Sequence, residues 1–425
     1  MNILFVSNLY PPVAVGGYER LCADIAGRLA ARGHRIAVLT SDHGVPRPRR
    51  EGFVHRLLEM EGGLFRTGYG NLVQRTGRAL RNLRRLRSVL SSFSPDVAFI
   101  WNHHDFQGFL LTEIRRRGVP LAFHFGGNWP LLPDKWTGFA GADPARAWIG
   151  LAKRTWHSAV SRLFGLQGAL ADCDLSFSSF SCAALRRDCA RAGFAIGSSE
   201  IVHEGIPPED LPPPGWRPSP TPGRAFRILF CGQLAAEKGP QHLVAALDET
   251  PLRDIRAEAT IVGRGPTPDF ENSLRADIAR RGLADRVRLL PPVPRPQLAD
   301  LFRSHDALAF PSVWPEYWSL VLLTAMACGL PAAATATGGT PELVRDGENG
   351  LLVPPADAPA LARALRRLAD DPAMLARLSA QAEADARSRY GIDGMADRHE
   401  RMLNRALRNR RPKPGRPAAS EQIRS

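Results

Sequence analysis

Residues 310–350 read FPSVWPEYWSLVLLTAMACGLPAAATATGGTPELVRDGENG, and the organisation of the whole chain can be worked out from this stretch. It predicts the end of a strand, a loop and then a buried helix over Ser319–Cys328. Gly329 and Pro331 end that helix, as glycine just past a helix end and proline beyond it usually do. A short apolar strand over 332–336 follows and leads into a glycine turn.

The start of this helix is a candidate anion site. A helix N-terminus presents unpaired backbone N–H groups and a partial positive charge, which together suit a diphosphate. The amides at Ser319 and Leu320 hold this position. Glu316 lies one turn earlier, where a lone carboxylate suits hydrogen bonds to sugar hydroxyls better than phosphate binding. The residues alone equally allow an ordinary helix with a solvated glutamate.

The N-terminal segment alternates strand and helix in the same way. Ile3–Ser7 predicts a strand, Tyr18–Arg32 a helix and Arg35–Thr40 a second strand, with a Pro/Gly loop after the first. This order predicts a parallel sheet that binds ligands at the carboxyl ends of its strands. Gly16 and Gly17 do not complete a GxGxxG fingerprint, which argues against a nicotinamide dinucleotide site.

A proline-rich run separates two halves of the chain. Such a run forms neither a helix nor a central strand, so we place a linker at 207–225 between domains at 1–206 and 226–385. A terminal helix over 386–407 and a basic tail over 408–425, which we expect to be disordered, complete the chain.

Length and composition are those of a soluble globular protein. The 425 residues accommodate two domains, with 44% apolar and 23% charged residues. The six cysteines form no CxxC pair, which argues against a zinc site and a disulfide framework. The N-terminus lacks the basic region of a signal peptide, and the longest apolar stretch falls short of the ~18–20 residues of a membrane span. We expect a cytoplasmic protein.

Six units of the net charge of +14 fall in one segment, Arg75–Arg87, which has no acidic residue. Its leucines recur with helical periodicity between the arginines. A basic amphipathic helix can lie on an anionic membrane, or it can bury its apolar stripe and leave its arginines in water. Nucleic acid is the least favoured partner, because aromatic-plus-basic strand motifs are missing from the sequence.

The motifs of the second half resemble those of retaining glycosyltransferases of family 4, also called glycosyl transferases group 1. The resemblance is carried by Glu316, Ser319, Ala325–Gly329, Pro331, Gly338, Gly339, Glu342 and Gly347–Gly350. It implies an α/β fold of the GT-B type, in which two Rossmann-like domains with parallel sheets face each other across a cleft. It also implies that the terminal helix over 386–407 crosses back to the first domain.

The resemblance implies a reaction as well. Family members transfer a sugar from a nucleotide-diphosphate donor to an acceptor hydroxyl with retention at the anomeric carbon, commonly in polysaccharide or glycolipid synthesis. The resemblance implies a metal-independent reaction, so we expect neither a metal nor a cofactor beyond the donor. The expected partners are a nucleotide-diphosphate sugar, a glycan or lipid-linked acceptor and, through Arg75–Arg87, the inner face of the membrane.

The resemblance also assigns site residues. Glu316 and His124 would hold the sugar hydroxyls from opposite sides of the cleft, and Lys238 would neutralise the diphosphate leaving group. Gly16 and Gly17 would bring backbone against the donor phosphates. The remaining donor-binding candidates are Gly232, Gln233, Gly263, Arg264, Ser319, Leu320 and Thr324.

Two departures from the family pattern concern the donor. Gln233 stands where the family has an arginine, and Thr324 stands where it has a second glutamate that contacts the nucleotide ribose. Arg264, on the next strand-to-glycine turn, is a candidate for the missing charge. Loss of a charge-assisted hydrogen bond costs about 1.5–3 kcal/mol. An alternative is therefore a catalytically silent relative that serves as a binding or partner subunit.

Overall fold

Two sheets of mostly parallel strands form the framework of the protein. The structure, a computed structural model, describes residues 1–14, 16–45, 50–61, 72–132, 158–159, 161–220 and 223–409. The predicted disordered tail lies outside the described residues from position 410 onward.

The first sheet has eight strands in the order β3-β4-β2-β1-β5-β6-β7-β8. All neighbours are parallel except β3 and β4. The central strands are apolar because helices cover both faces of the sheet. The strands are β1 (Asn2–Ser7), β2 (Arg35–Ser41), β3 (Arg50–Glu51), β4 (Val54–Leu58), β5 (Val97–Asn102), β6 (Leu121–Phe125), β7 (Ser178–Phe180) and β8 (Glu200–Ile201).

The second sheet has six parallel strands in the order β11-β10-β9-β12-β13-β14. The chain leaves β9 toward one side and returns to its other side at β12, so the strand order reverses between these two strands. Its strands are β9 (Phe226–Cys231), β10 (Ala257–Val262), β11 (Val287–Leu290), β12 (Ala307–Phe310), β13 (Ala332–Thr335) and β14 (Leu351–Val353).

Helices alternate with the strands of both sheets, as the strand–helix pattern predicted. Those of the first half are α1 (Gly17–Ala31), α2 (Leu72–Phe93), α3 (Phe109–Arg116) and α4 (Ala183–Arg191). Those of the second half are α5 (Pro240–Asp248), α6 (Thr250–Arg253), α7 (Pro268–Arg280), α8 (Leu298–Arg303), α9 (Leu320–Ala327), α10 (Thr340–Leu343), α11 (Ala358–Asp370), α12 (Pro372–Arg389) and α13 (Ile392–Arg408).

The terminal helix α13 packs on the first sheet rather than on the second. Met395, Met402 and Leu403 lie in one buried cluster with Leu21 and Ile25 of α1. The chain therefore crosses between the domains twice, and the two crossings lie side by side. The N–H of Ile206 donates to Tyr390 O at 2.9 Å, and the N–H of Ile392 donates to Ile206 O at 3.2 Å.

Two local features differ from the sequence predictions. The terminal helix, predicted over 386–407, is divided, because α12 runs to Arg389 and α13 begins at Ile392, where the chain leaves the second domain. The hairpin of β3 and β4 was not predicted, since neither strand is an uninterrupted apolar run.

The basic helix α2 is not a free cationic surface. Five of its six arginines between 75 and 87 lie within ion-pair distance of carboxylates, and only Arg84 has no such contact among the described residues. Arg75 is 1% exposed and reaches Glu61 at 3.1 Å. Ala79, Leu83, Leu86, Val89 and Leu90 lie in the core, whereas Val73 in the first turn is 75% exposed. The interpretation with the apolar stripe in the core accounts for this helix without a membrane.

Candidate functional site

The predicted donor residues gather where the strand order of the second sheet reverses. The loops after β9 (232–239) and β12 (311–319) leave neighbouring strands at the same edge. In parallel α/β sheets, ligands bind in the crevice that such loops form. These two loops contain Lys238 and Glu316.

Backbone contacts hold the two loops together. The N–H of Val313 and the hydroxyl of Ser312 both donate to Glu237 O, at 2.9 and 3.0 Å. Gly239 follows with a φ of 74°, and a Cβ there would lie 2.0 Å from Pro311 O. Only glycine permits this approach, so the sequence Glu-Lys-Gly fixes the position of the lysine.

Lys238 and Glu316 meet in the crevice although they are 78 residues apart in sequence. The Lys238 ammonium donates to Oε1 of Glu316, and the Ser312 hydroxyl, whose one hydrogen is shared with Glu237 O, lies 3.0 Å from the same oxygen. The lysine side chain is 32% exposed and the glutamate 12%. A cation and a carboxylate therefore border one accessible space, which can take a phosphate at one end and hydroxyl groups at the other.

The start of α9 borders the same loop. The Ser319 hydroxyl accepts a hydrogen bond from the N–H of Leu322 at 3.2 Å, so Ser319, the first residue of the predicted helix, is the N-cap of α9. A Cβ on Gly17 would lie 2.6 Å from Cδ1 of Leu320. The glycine loop of the first domain thus contacts the first turn of this helix across the interface.

The two glycines that end β9 and β10 are also neighbours. A Cβ on Gly263 would lie 1.8 Å from Gly232 O, so these turns touch. Gln233 is partly exposed and Arg264 exposed. The N–H of Leu234 donates to Arg264 O at 3.1 Å, which brings the two turns together through backbone only.

Thr324 is held inside α9. Its hydroxyl donates to Leu320 O, four residues back, at 2.7 Å. This back-bond satisfies one carbonyl of the first turn. A hydroxyl engaged with its own helix is a poor substitute for the carboxylate that the family places at this position.

His124 does not line the crevice, in contrast to the sequence prediction. Its side chain is 0% exposed, with Tyr18, Trp101 and His399 packed around the ring at centroid distances of 5.9, 4.5 and 4.9 Å. Nδ1 lies 3.0 Å from the Ser179 hydroxyl. Burial, helped by the nearby His399, lowers the pKa of His124 well below its ordinary value, so the ring is neutral.

Contacts from the second domain to α4 were missed by sequence reasoning. The Glu342 carboxylate accepts hydrogen bonds from the N–H groups of Ala183 and Ala184 at 2.8 and 2.9 Å. The Tyr317 hydroxyl donates to Asp188 at 3.0 Å. A glutamate of one domain therefore caps a helix of the other, and no sequence signal indicates such a cap because its parts lie about 160 residues apart.

Neither a cluster of metal-binding side chains nor a membrane-spanning helix occurs among the described residues. Within the ranges that the structure describes, no three His, Cys, Asp or Glu side chains converge as metal ligands. None of the described helices combines the length and hydropathy needed to cross a bilayer.

Sequence comparison assigns each half of the chain. Residues 217–385 match the family described as glycosyl transferases group 1, and residues 15–172 match glycosyltransferase family 4. The chain belongs to the group 1 and family 4 glycosyltransferases.

Relatives of this glycosyltransferase match over part of their length. D-inositol 3-phosphate glycosyltransferase of Streptomyces scabiei (strain 87.22) is 36% identical over 223 residues, which are 50% of this chain and 49% of that protein. The protein of the same name from Arthrobacter sp. (strain FB24) is 42% identical over 155 residues, 36% of each chain. The chain thus spans about half or less of the curated relatives it matches.

Solved structures match the glycosyltransferase over nearly its whole length. Sucrose-phosphate synthase from Thermosynechococcus elongatus aligns with a TM-score of 0.70 at 18% identity, covering 96% of this chain and 99% of that one. Alr3699/HepE of Anabaena, solved in complex with UDP-glucose, aligns with a TM-score of 0.66 at 20% identity, covering 95% and 100%. At these identities the likeness shows the fold alone, and it confirms the predicted GT-B architecture.

Proposed function

We propose that this protein transfers a sugar from a nucleoside diphosphate sugar to an acceptor hydroxyl, with retention at the anomeric carbon. The observation that carries the proposal is the meeting of Lys238 and Glu316 beside the start of α9, with Gly17 of the other domain in contact. The relatives named as glycosyltransferases support sugar transfer, and the UDP-glucose bound to Alr3699/HepE supports a uridine nucleotide as the first donor to test.

The proposed chemistry requires charge stabilisation on two sides. The departing diphosphate gains negative charge, which the Lys238 ammonium and the first amides of α9 would stabilise. The anomeric carbon becomes oxocarbenium-like, as in glycoside hydrolysis, while Glu316 holds the sugar hydroxyls. Contact of His124 with the sugar requires that the packing of Tyr18 over its ring opens, so we assign the hydroxyls to Glu316 first.

The test is a transfer assay with a panel of nucleotide sugars, scored by release of the nucleoside diphosphate. We expect Lys238→Ala and Glu316→Ala each to lower kcat by about 10²–10³-fold, the usual loss for one transition-state contact. Glu271→Ala, at a carboxylate on the surface of α7 paired with Arg275, is the matched control. A β-linked product from an α-linked donor would contradict retention. Equal activity with and without EDTA would support the metal-independent reaction.

A catalytically silent binding subunit is the second candidate. It is favoured by Gln233 at the arginine position and by the commitment of Thr324 to the backbone of α9. Thermal denaturation with UDP, ADP and GDP separates the two candidates, because a bound ligand raises Tm. A rise in Tm without turnover of any donor supports the silent relative. If the protein shows neither a rise in Tm nor turnover, both candidates are rejected.

We propose that the acceptor is a polysaccharide or a glycolipid at the inner face of the membrane. The six arginines of Arg75–Arg87 and the three glutamates that pair with them still sum to a formal charge of +3. The apolar stripe that would have to enter a bilayer, however, lies in the core. We therefore expect the described part of α2 to contribute little to binding of vesicles that contain anionic lipid, and Arg84→Ala to leave that binding unchanged.

A further inference from the structure

A buried polar relay connects both interdomain crossings with the end of β6. Glu204 belongs to the first crossing and His399 to α13, which follows the second. Between them lie His124 on β6 and Ser179 on β7, and all four side chains are at most 3% exposed. The relay lies beneath the candidate site, and the proposed reaction gives most of its members no role.

The central bonds of the relay define the tautomers of both histidines. The Ser179 hydroxyl donates its one hydrogen to Phe123 O at 3.2 Å. Its oxygen lies 3.0 Å from Nδ1 of His124 and 3.1 Å from Nε2 of His399, so both ring nitrogens must donate to it. His124 is then protonated on Nδ1 and carries a lone pair on Nε2.

That lone pair faces the carboxyl group of Glu204. Nε2 of His124 and Oε1 of Glu204 are 3.6 Å apart, and each is buried without a hydrogen-bond partner. Two unpartnered buried acceptors facing each other would be unfavourable, whereas a proton on one of them turns the pair into donor and acceptor. Gly126 provides the space, because a Cβ there would lie 2.1 Å from Oε1 of Glu204.

The surroundings place the proton on the carboxyl group. Burial, with the carboxylate of Glu19 nearby, raises the pKa of Glu204 well above its ordinary value. Burial lowers the pKa of His124, and that of His399 to about 3. Tyr18, whose hydroxyl donates to Trp101 O at 2.6 Å, is the other titratable group against the pair. No cationic side chain among the described residues is in hydrogen-bond contact with Glu204.

We propose that Glu204 is a positioning residue for His124: its protonated carboxyl donates to Nε2 and fixes the ring as the neutral Nδ1–H tautomer. Closing the gap to an ordinary O–H···N distance needs a shift of about 0.8 Å. The backbone carbonyl of Glu204 accepts a hydrogen bond from Nε1 of Trp318 at 3.2 Å. The same residue therefore also contacts the loop that carries Glu316. Glu204 thereby links His124 to the donor-binding loop.

The protonation is tested without any assay of activity. In the unfolded chain Glu204 ionises near the ordinary pKa of glutamate, whereas in the folded protein it keeps its proton. The contribution of Glu204 to wild-type stability therefore falls as pH rises above about 4.5. Glu204→Gln keeps a donor of the same shape and removes this loss. We expect the Tm of Glu204→Gln minus that of wild type to increase steadily from pH 5 to pH 9. Glu383→Gln, at a buried carboxylate paired with Arg217, is the control and should lower Tm without that increase.

Nitrogen-15 spectra of selectively labelled His124 give the second readout. We expect one protonated ring nitrogen, Nδ1, across pH 6–8, in wild type and in Glu204→Gln. An imidazolium signal, or a proton on Nε2, would overturn the proposal. So would a Tm difference between Glu204→Gln and wild type that stays constant or shrinks with pH.

The catalytic part of the inference rests on the proposed glycosyl transfer and on contact of His124 with the sugar once Tyr18 moves off its ring. We expect Glu204→Gln to retain most of kcat/KM and Glu204→Ala to lower kcat at least tenfold with little change in KM for the donor. Equal kcat in all three proteins would reject the positioning role even if the spectra confirm the tautomer. If no donor is turned over by wild type, the proposed function fails while the stability and spectroscopic results still decide the protonation.

Discussion

At Lys238, a donor diphosphate has to compete with a carboxylate. The lysine ammonium donates to Glu316 in the structure, so a phosphate that takes the lysine must replace that contact. We expect Glu316→Ala to bind UDP about fivefold more tightly, equivalent to ~1 kcal/mol for a partly exposed ion pair, while it lowers turnover. Lys238→Ala should weaken UDP binding and turnover together.

Isothermal titration of the two single variants and the double variant checks this. If the pair competes with the donor, the gain from Glu316→Ala vanishes in the Lys238→Ala background. Weaker UDP binding by Glu316→Ala would show instead that the carboxylate helps to hold the nucleotide. Ser312→Ala, which removes a hydroxyl that contacts both Glu316 and Glu237 O and leaves both charges of the pair in place, is the matched control.

At the level of elements, the close contact between α1 and α9 depends on Gly17, which has no Cβ. A Cβ on Gly17 would lie 2.6 Å from Leu320 Cδ1, whereas a Cβ on Gly16 would meet nothing within 4 Å. Gly17→Ala should therefore displace Leu320 and reduce donor binding at least tenfold. The Tm of Gly17→Ala should stay close to that of wild type, because alanine in a helix is about 1 kcal/mol more favourable than glycine.

The neighbouring glycine supplies the control for this prediction. Gly16→Ala should leave Tm unchanged and leave the first turn of α9 in place. Adding Leu320→Ala to Gly17→Ala should restore donor binding, because it removes the clashing methyl groups. Failure of that rescue in titrations with UDP would contradict the steric explanation.

The element pattern of both halves was predictable from local sequence, whereas several side-chain partners were not. Apolar runs and glycine turns indicated the strands, and Ser319 indicated the start of α9, because these signals act over a few residues. The burial of His124 was not predictable, since Tyr18, Trp101 and His399 come from three distant segments. The ion pairs of the α2 arginines likewise depend on Glu59, Glu61 and Glu113 outside that helix.

At the scale of the whole molecule, Glu342 connects the two domains through the capped helix α4. Its removal leaves two amides without their acceptor, so we expect Glu342→Ala to cost about 1–3 kcal/mol and to lower Tm by a few degrees. Small-angle scattering should show a larger radius of gyration if the contact also limits domain separation. Glu348→Ala, at a glutamate whose side chain is 64% exposed, should change neither quantity.

The stability of the whole protein should also respond to acid. Burial lowers the pKa of His399 to about 3, while in the unfolded chain it titrates near its ordinary value of 6.5. The contribution of His399 to stability is therefore fully present above about pH 6.5 and is lost as pH falls toward 3. Thermal denaturation of His399→Phe should show a shallower decline from pH 7 to pH 5 than wild type. An identical decline would mean that other groups govern the acid sensitivity.

The paired crossings at Ile206 and Ile392 have a practical consequence for dividing the gene. The second piece of a chain cut within 207–225 would carry α13, which completes the apolar core of the first piece. Two separately expressed fragments should therefore recombine by complementation, since each lacks a surface that the other supplies. Expressed without its counterpart, the first fragment would expose the face that Met395, Met402 and Leu403 cover, and it should aggregate.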